Sequence, residues 1–263
     1  MRALLHRTGA FSVQEFNRFS YDRVEYKGVN DPFTYVDVET ERLLREGCGE
    51  ILPGSGFITE EMDDLASENG YVWIIDPIDG TSNFVHGVPH FAISVALWHE
   101  GEVLRGYVYE PVGGHLFEAV KGGGAWLDGK PIRVSGRQAL RECLIATGFP
   151  YAGFTWRDHY LMGMSALMDQ AHSLRRFGSA ALDLAYVACG RFDAFFEFQL
   201  KPWDVAAGAL LIHEAGGHVG DFGGGDNYLF GGQLLATNGH VHAEIEDILR
   251  RNGFPQTQTG GKP

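Results

Sequence analysis

Apolar residues follow three regimes along the chain. In the first, Leu4, Leu5, Phe11, Phe16 and Phe19 keep a patchy helical spacing, which predicts a short, irregular N-terminal helix. Residues 38–46 predict a second short helix, with Gly47 and Gly49 suited to cap its end. The second regime is made of strands. Residues 57–59 and the apolar run 71–75 read as buried strands, and three further runs, 91–98, 103–108 and 116–120, are separated by Gly101, Gly113-Gly114 and Gly122-Gly123-Gly124. Short apolar runs divided by glycines predict an antiparallel meander. In the third regime strands and helices alternate: 143–147, 173–176, 193–198 and 234–236 as strands, 157–170, 179–189, 202–215 and 244–251 as helices. Alternation of this kind predicts a layer of helices on a sheet. The polar, Gly- and Pro-containing end, 254–263, predicts a disordered tail.

The strand at 71–75 runs into Asp76-Pro77-Ile78-Asp79-Gly80-Thr81-Ser82-Asn83-Phe84. Pro77 fixes its own φ and restricts Asp76, so two carboxylates sit on a stiff corner. Hard oxygen donors in a rigid setting suit Mg²⁺. Gly80 permits close backbone approach, and a helix starting there would aim free N–H groups at an anion. Asp-Pro or Asp-Gly alone marks a turn. Here the acids lie at the C-terminal end of a buried strand, where α/β folds place ligands, and a Thr and an Asn follow.

Bulk properties narrow the field. Lys+Arg 21 against Asp+Glu 34 gives a net charge of -13 in 263 residues, without a basic cluster, which argues against nucleic-acid binding. Cys48, Cys143 and Cys189 are widely spaced and odd in number, which fits reduced thiols and a cytoplasmic location. Their spacing suits no zinc site, and His240-Val241-His242, the closest histidine pair, reads as an exposed helix start. No 18-residue apolar span is present, so membrane insertion is not expected.

A second candidate site is Lys201-Pro202-Trp203-Asp204-Val205-Ala206-Ala207-Gly208. On its own Asp204 is a favourable acid in a first helical turn, the small residues after it suit close helix packing, and Gly216-Gly217 suit a C-cap. Taken together with Asp76-x-x-Asp79-Gly80-Thr81, with Asp31-Pro32-Phe33-Thr34-Tyr35-Val36-Asp37 and with Thr59-Glu60-Glu61, this pattern resembles the inositol monophosphatase family from about Lys27 to the last helix. The second of these segments looks like the family's Asp-x-x-Thr-x-x-Asp and the third like its Gly-Glu-Glu, with Thr59 standing where Gly is usual.

The resemblance implies an α+β fold, a layered α-β-α-β-α sandwich. It implies one catalytic domain over 1–253, with an antiparallel-sheet half to about 140 and an alternating half over 141–253. It implies Mg²⁺-dependent, lithium-sensitive hydrolysis of a phosphate monoester by activated water, with two or three Mg²⁺ ions per site. Glu60, Asp76, Asp79 and Asp204, with the Ile78 carbonyl, correspond to the metal ligands. Asp37 and Thr81 correspond to the pair that orients the attacking water, with Glu60 beside them in the catalytic set. Gly80 and Thr81 would hold phosphate oxygens. Gly178-Ser179-Ala180 and Glu197 match positions lining the substrate-hydroxyl pocket, with Asp79 and Asp204 also facing substrate. A solvated strand-end acid explains Glu197 equally well.

Inositol monophosphate or a similar small polyol phosphate is the implied substrate. Fructose 1,6-bisphosphate, adenosine 3′,5′-bisphosphate and histidinol phosphate are rivals, although Ser82-Asn83-Phe84 looks more like the inositol type than the nucleotide type, which tends to carry Lys-Glu-Phe. The resemblance also implies a homodimer. It leaves open a non-catalytic role, because some bacterial relatives bind the transcription machinery.

Overall fold

The computed structural model describes residues 1–28, 31–149, 154 and 156–253; the expected disordered tail lies outside them. Helices α1 (Arg2–Phe16) and α2 (Tyr35–Ile51) flank a small hairpin of β1 (Glu25–Gly28) and β2 (Asp31–Phe33). A seven-stranded sheet follows, in spatial order β3 (Gly56–Thr59), β4 (Tyr71–Asp79), β5 (Ala92–His99), β6 (Glu102–Glu110), β7 (His115–Val120), β8 (Gly124–Leu127) and β9 (Lys130–Pro131), with the one-turn helix α3 (Thr81–Val85) after β4. The β3–β4 pair is parallel and every later pair is antiparallel, so the expected meander is present and longer than its apolar runs indicate.

The second half supplies β10 (Leu144–Thr147), α4 (Arg157–Gln170), β11 (Ser173–Arg175), α5 (Ala180–Ala188), β12 (Ala194–Phe198), α6 (Pro202–Glu214), β13 (His218–Gly220), β14 (Gln233–Thr237) and α7 (His242–Arg251). Its five strands lie in the order β11-β10-β12-β14-β13, with β11, β10 and β12 parallel and the last two antiparallel.

Strand alternation sorts the side chains into layers. Trp73 and Ile75 of β4 point outward and pack with Leu4, Leu5, Leu44 and Cys48 of α1 and α2. Ile74 points the other way, into a core shared with α5, α6 and Phe195. On β12, Phe195 faces that central core, while Ala194 and Phe196 face Tyr160, Leu167, Ile245 and Leu249 of α4 and α7. The order is therefore helices, sheet, helices, sheet, helices: the α+β sandwich expected.

Four expectations need correction. The N-terminal helix is regular, with 15 residues. Helix α2 spans 17 residues rather than nine, because Thr34 and Asp37 close a capping box before it and Gly47 and Gly49 lie inside it. A Cβ on Gly47 would sit 2.5 Å from Leu4 Cδ1, so that glycine serves helix contact, not termination. His242 begins α7 and is buried, its Nδ1 3.1 Å from the Thr237 hydroxyl, so only His240 sits at an exposed helix start. Strand β4, moreover, continues through Pro77 to Asp79, and the misfit is absorbed as a register shift between Asp76 and Asp79.

Candidate active site

Three elements aim their ends at one cavity. Strand β4 delivers Asp76 and Asp79 through the irregular stretch at Pro77, and α6 delivers Asp204 from its first turn. One carboxylate oxygen from each lies within 4.8 Å of the others. Glu60, just past β3, lines the same cavity without belonging to that tightest trio. The Ile78 backbone and Gly80, Thr81, Gly178, Ala180 and Glu197 complete the wall on the expected side. The cavity is open to solvent on one side, and its lining is mainly acidic and backbone groups.

Each acid is held by named donors. Asp76 Oδ1 accepts from the Ile78 amide at 3.0 Å. Asp79 Oδ2 accepts from the Ser179 hydroxyl at 2.6 Å and the Ala181 amide at 2.7 Å, so the start of α5 grips one of its oxygens. Asp204 Oδ2 accepts from the Lys201 amide at 2.6 Å. Asp37, fully buried, accepts from the Thr34 amide and hydroxyl at 2.9 and 2.6 Å through Oδ2, and from the Thr81 hydroxyl at 3.1 Å through Oδ1. The same Thr81 hydroxyl lies 2.9 Å from the Ile78 carbonyl. Gly80, at φ 101°, caps α3 in a left-handed conformation, and a Cβ there would press on the Gly178 and His90 carbonyls.

Crowded acids resist ionisation. Burial, then the charges of Glu60, Asp79 and Asp204, hold Asp76 well above the usual carboxylate range. Burial raises Asp37 to about 7, and the nearby Glu61 adds to it. Burial lifts Asp79 to about 6 against the pull of Ser179. Burial, then Asp79, lifts Asp204 to about 7. Burial raises Glu197 to about 8, opposed by Arg176. A set of hard oxygen donors that is destabilised when charged is the donor set a divalent cation relieves, so these residues fit a metal.

All the candidate site residues lie at this cavity or directly behind it; Asp37 and Ser179 act from behind, through Thr81 and Asp79. Three further contributors, Arg176, Gly148 and Glu41, are not among the candidate residues, and Asn83, noted only as part of its motif, has a structural role as well. Arg176 lines the cavity as its cation among the described residues and lies 5.7 Å from the Phe149 ring centre. Asn83 donates to the Phe177 and His90 carbonyls, each at 2.8 Å, and so ties α3 to the loop before α5. Gly148 leaves room for Glu197, since a Cβ there would overlap the carboxylate. Glu41 binds the segment around Glu60. The glycine after β10 was the one readable hint, because a glycine at a strand end often marks close approach.

A cleft walled by acids, beside a helix start and a glycine in left-handed conformation, is the arrangement of a metal-dependent phosphatase of the layered type. The chain belongs to the inositol monophosphatase family, whose model matches residues 2–252. It is therefore a phosphoric monoester hydrolase of a metal-dependent family. It is 41% identical over 246 residues to the inositol-1-monophosphatase of Rhizobium meliloti strain 1021, covering 93% of this chain and 92% of that one. It is 42% identical over 234 residues to the Nus factor SuhB of Escherichia coli K12, covering 86% and 88%. The crystal structure of the extragenic suppressor protein suhB from Bartonella henselae superposes with a TM-score of 0.91 at 36% identity, covering 96% of this chain and 97% of that one.

Proposed function

We propose that this chain hydrolyses inositol monophosphate, or a similar small polyol phosphate, with Mg²⁺ held by Glu60, Asp76, Asp79, Asp204 and the Ile78 carbonyl. The observation that carries the reading is the meeting of Asp76, Asp79 and Asp204 within 4.8 Å, in a cleft that also presents the start of α3. Bound there, two or three Mg²⁺ ions would neutralise phosphate charge and lower the pKa of water. The residues do the rest. Gly80 and Thr81 direct backbone N–H groups at phosphate oxygens. Asp37 draws the Thr81 proton toward itself, so Thr81 Oγ1 presents a lone pair to the attacking water and orients it. Glu197 accepts from a hydroxyl of the departing polyol.

The test is phosphate release from inositol 1-phosphate and the rival substrates, with Mg²⁺ and with chelator. Asp76→Asn should abolish turnover while the protein stays folded by circular dichroism. Mg²⁺-dependent turnover retained in that variant would sink the reading. Lithium inhibition, a homodimer and a cytoplasmic location belong to the same proposal, the last supported by three free cysteines. Among the described residues no helix is long and apolar enough to cross a membrane.

A second role is motivated by relatives named Nus factor SuhB. We infer that such a role, if present, sits on the surface and does not require turnover. The folded Asp76→Asn variant should then still retain transcription proteins in a pull-down. Absence of capture by both wild type and variant would discard it.

A further inference from the structure

Glu41 is fully buried on α2, one turn after Asp37 on the same helix face, and the proposed mechanism leaves it without a task. Its carboxylate collects four donors. Oε1 accepts from the Thr59 hydroxyl at 2.6 Å, the Met62 amide at 3.0 Å and Arg45 Nη1 at 3.4 Å; Oε2 accepts from the Glu61 amide at 2.8 Å. Thr59, Glu61 and Met62 bracket Glu60 on both sides. Arg45 reinforces the bracket: Nη1 and Nη2 each lie 3.1 Å from the Asp63 carbonyl, and Nη1 lies 3.3 Å from the Thr59 hydroxyl.

A buried carboxylate needs its lone pairs filled, and here the donors come from the segment 59–63 itself and from Arg45. That segment leaves β3 and turns back across α2, so Glu41 dictates where residue 60 emerges. Glu60 itself is half-buried and faces the cavity. Helix α2 thus has two tasks four residues apart: Asp37 holds Thr81, and Glu41 holds the Thr59 hydroxyl before Glu60 and the Glu61 and Met62 amides after it.

We propose that Glu41, with the Thr59 hydroxyl, is the positioning residue that presents Glu60 to the cation and so sets the affinity of the site for Mg²⁺. The inference rests on the metal-binding reading above. A merely structural clamp would lower the melting temperature and leave the cation affinity of the folded protein unchanged. A positioning residue changes the affinity, because an ill-placed ligand must be reorganised whenever the metal binds; outer partners of metal ligands typically matter by about 10–100-fold.

The experiment is isothermal titration of the full chain with Mg²⁺ at pH 8, without substrate, beside circular dichroism. Glu41→Gln keeps the volume but turns one oxygen into a donor facing backbone amides; it should weaken Mg²⁺ binding by about 10–100-fold. Thr59→Val keeps the shape and loses the hydroxyl; it should weaken binding by roughly three- to tenfold, the scale of one hydrogen bond. Thr59→Ser should restore wild-type affinity. Wild-type affinity in folded Glu41→Gln or in Thr59→Val, or a Thr59→Ser as weak as Thr59→Val, would overturn the proposal. If Glu41→Gln does not fold, the two Thr59 variants decide. Wild type that binds no Mg²⁺ at all removes the metal reading and this inference together, whereas wild type that binds and turns over with unaltered variants removes only the inference.

Discussion

Thr81 has one hydroxyl proton and two acceptors in reach, the Asp37 carboxylate and the Ile78 carbonyl. The first leaves both lone pairs of the Ile78 oxygen for a cation, so the two tasks proposed for this corner are best served together when the proton points at Asp37. Thr81→Ala should therefore lower kcat more than it raises KM, by about 10²–10⁴-fold, the range typical of a lost proton-transfer group. Asp37→Asn should behave alike, and the double variant should lose less than the product of the single losses; fully multiplicative losses in steady-state kinetics would show two independent residues. At the opposite wall, Glu197 and Gly148 form another pair. Glu197→Gln should reduce kcat/KM for inositol 1-phosphate about tenfold, the scale of one hydrogen bond to a charged group, and p-nitrophenyl phosphate hydrolysis far less. Gly148→Ala, which pushes a methyl into the space of that carboxylate, should show the same split. Equal losses on both substrates would tie Glu197 to the metal site instead.

At the scale of elements, the strands and helices that bear the chemistry were legible, because each carries an unbroken periodic run: β4 with its apolar stretch, α6 with proline at its start, α5 with its alanines. The failures have a common cause. Gly47 and Gly49 read as a stop because glycine is a poor helix former, yet at Gly47 the tertiary contact with Leu4 outweighs about 1 kcal/mol of propensity and the helix runs on through Gly49. The short strands β8, β9 and β13 have too few residues to show a period. Arg176 and Glu41 could not be assigned, since nothing local distinguishes an arginine that lines a cleft, or a glutamate that fastens a loop, from solvated ones. The small-residue reading of α6 can be checked directly. A Cβ on Gly208 would lie 2.5 Å from Leu184 Cβ on α5. Gly208→Leu should destabilise by about 1–3 kcal/mol or more through overpacking. Because α5 holds Asp79 and α6 carries Asp204, kcat should fall as well. A thermal melt and a rate measured together would show the two losses moving as one; a full rate with a lowered melting point would separate packing from the site.

For the molecule as a whole, the raised carboxyls tie stability to pH. Folded Asp79 titrates at about 6, Asp37 and Asp204 at about 7 and Glu197 at about 8, all above unfolded values of about 4. Between those limits the folded state binds more protons than the unfolded one. Without cations, the stability these groups confer is full at and below about pH 4 and is lost as pH rises from there through about 8. Mg²⁺ should raise the melting temperature more at pH 8 than at pH 5, by calorimetry against chelator; an equal gain at both would mean the acids are already charged in the metal-free protein. The bond from Ser179 to Asp79 spans 100 positions of chain and joins the two halves. Neither half holds all of the proposed ligands, since Asp76 and Asp79 lie in one and Asp204 in the other. A chain truncated before α6 lacks Asp204 and should release no phosphate from inositol 1-phosphate. During refolding, turnover should then return no earlier than the docking of one half on the other, and a phosphate-release assay run beside circular dichroism checks the order.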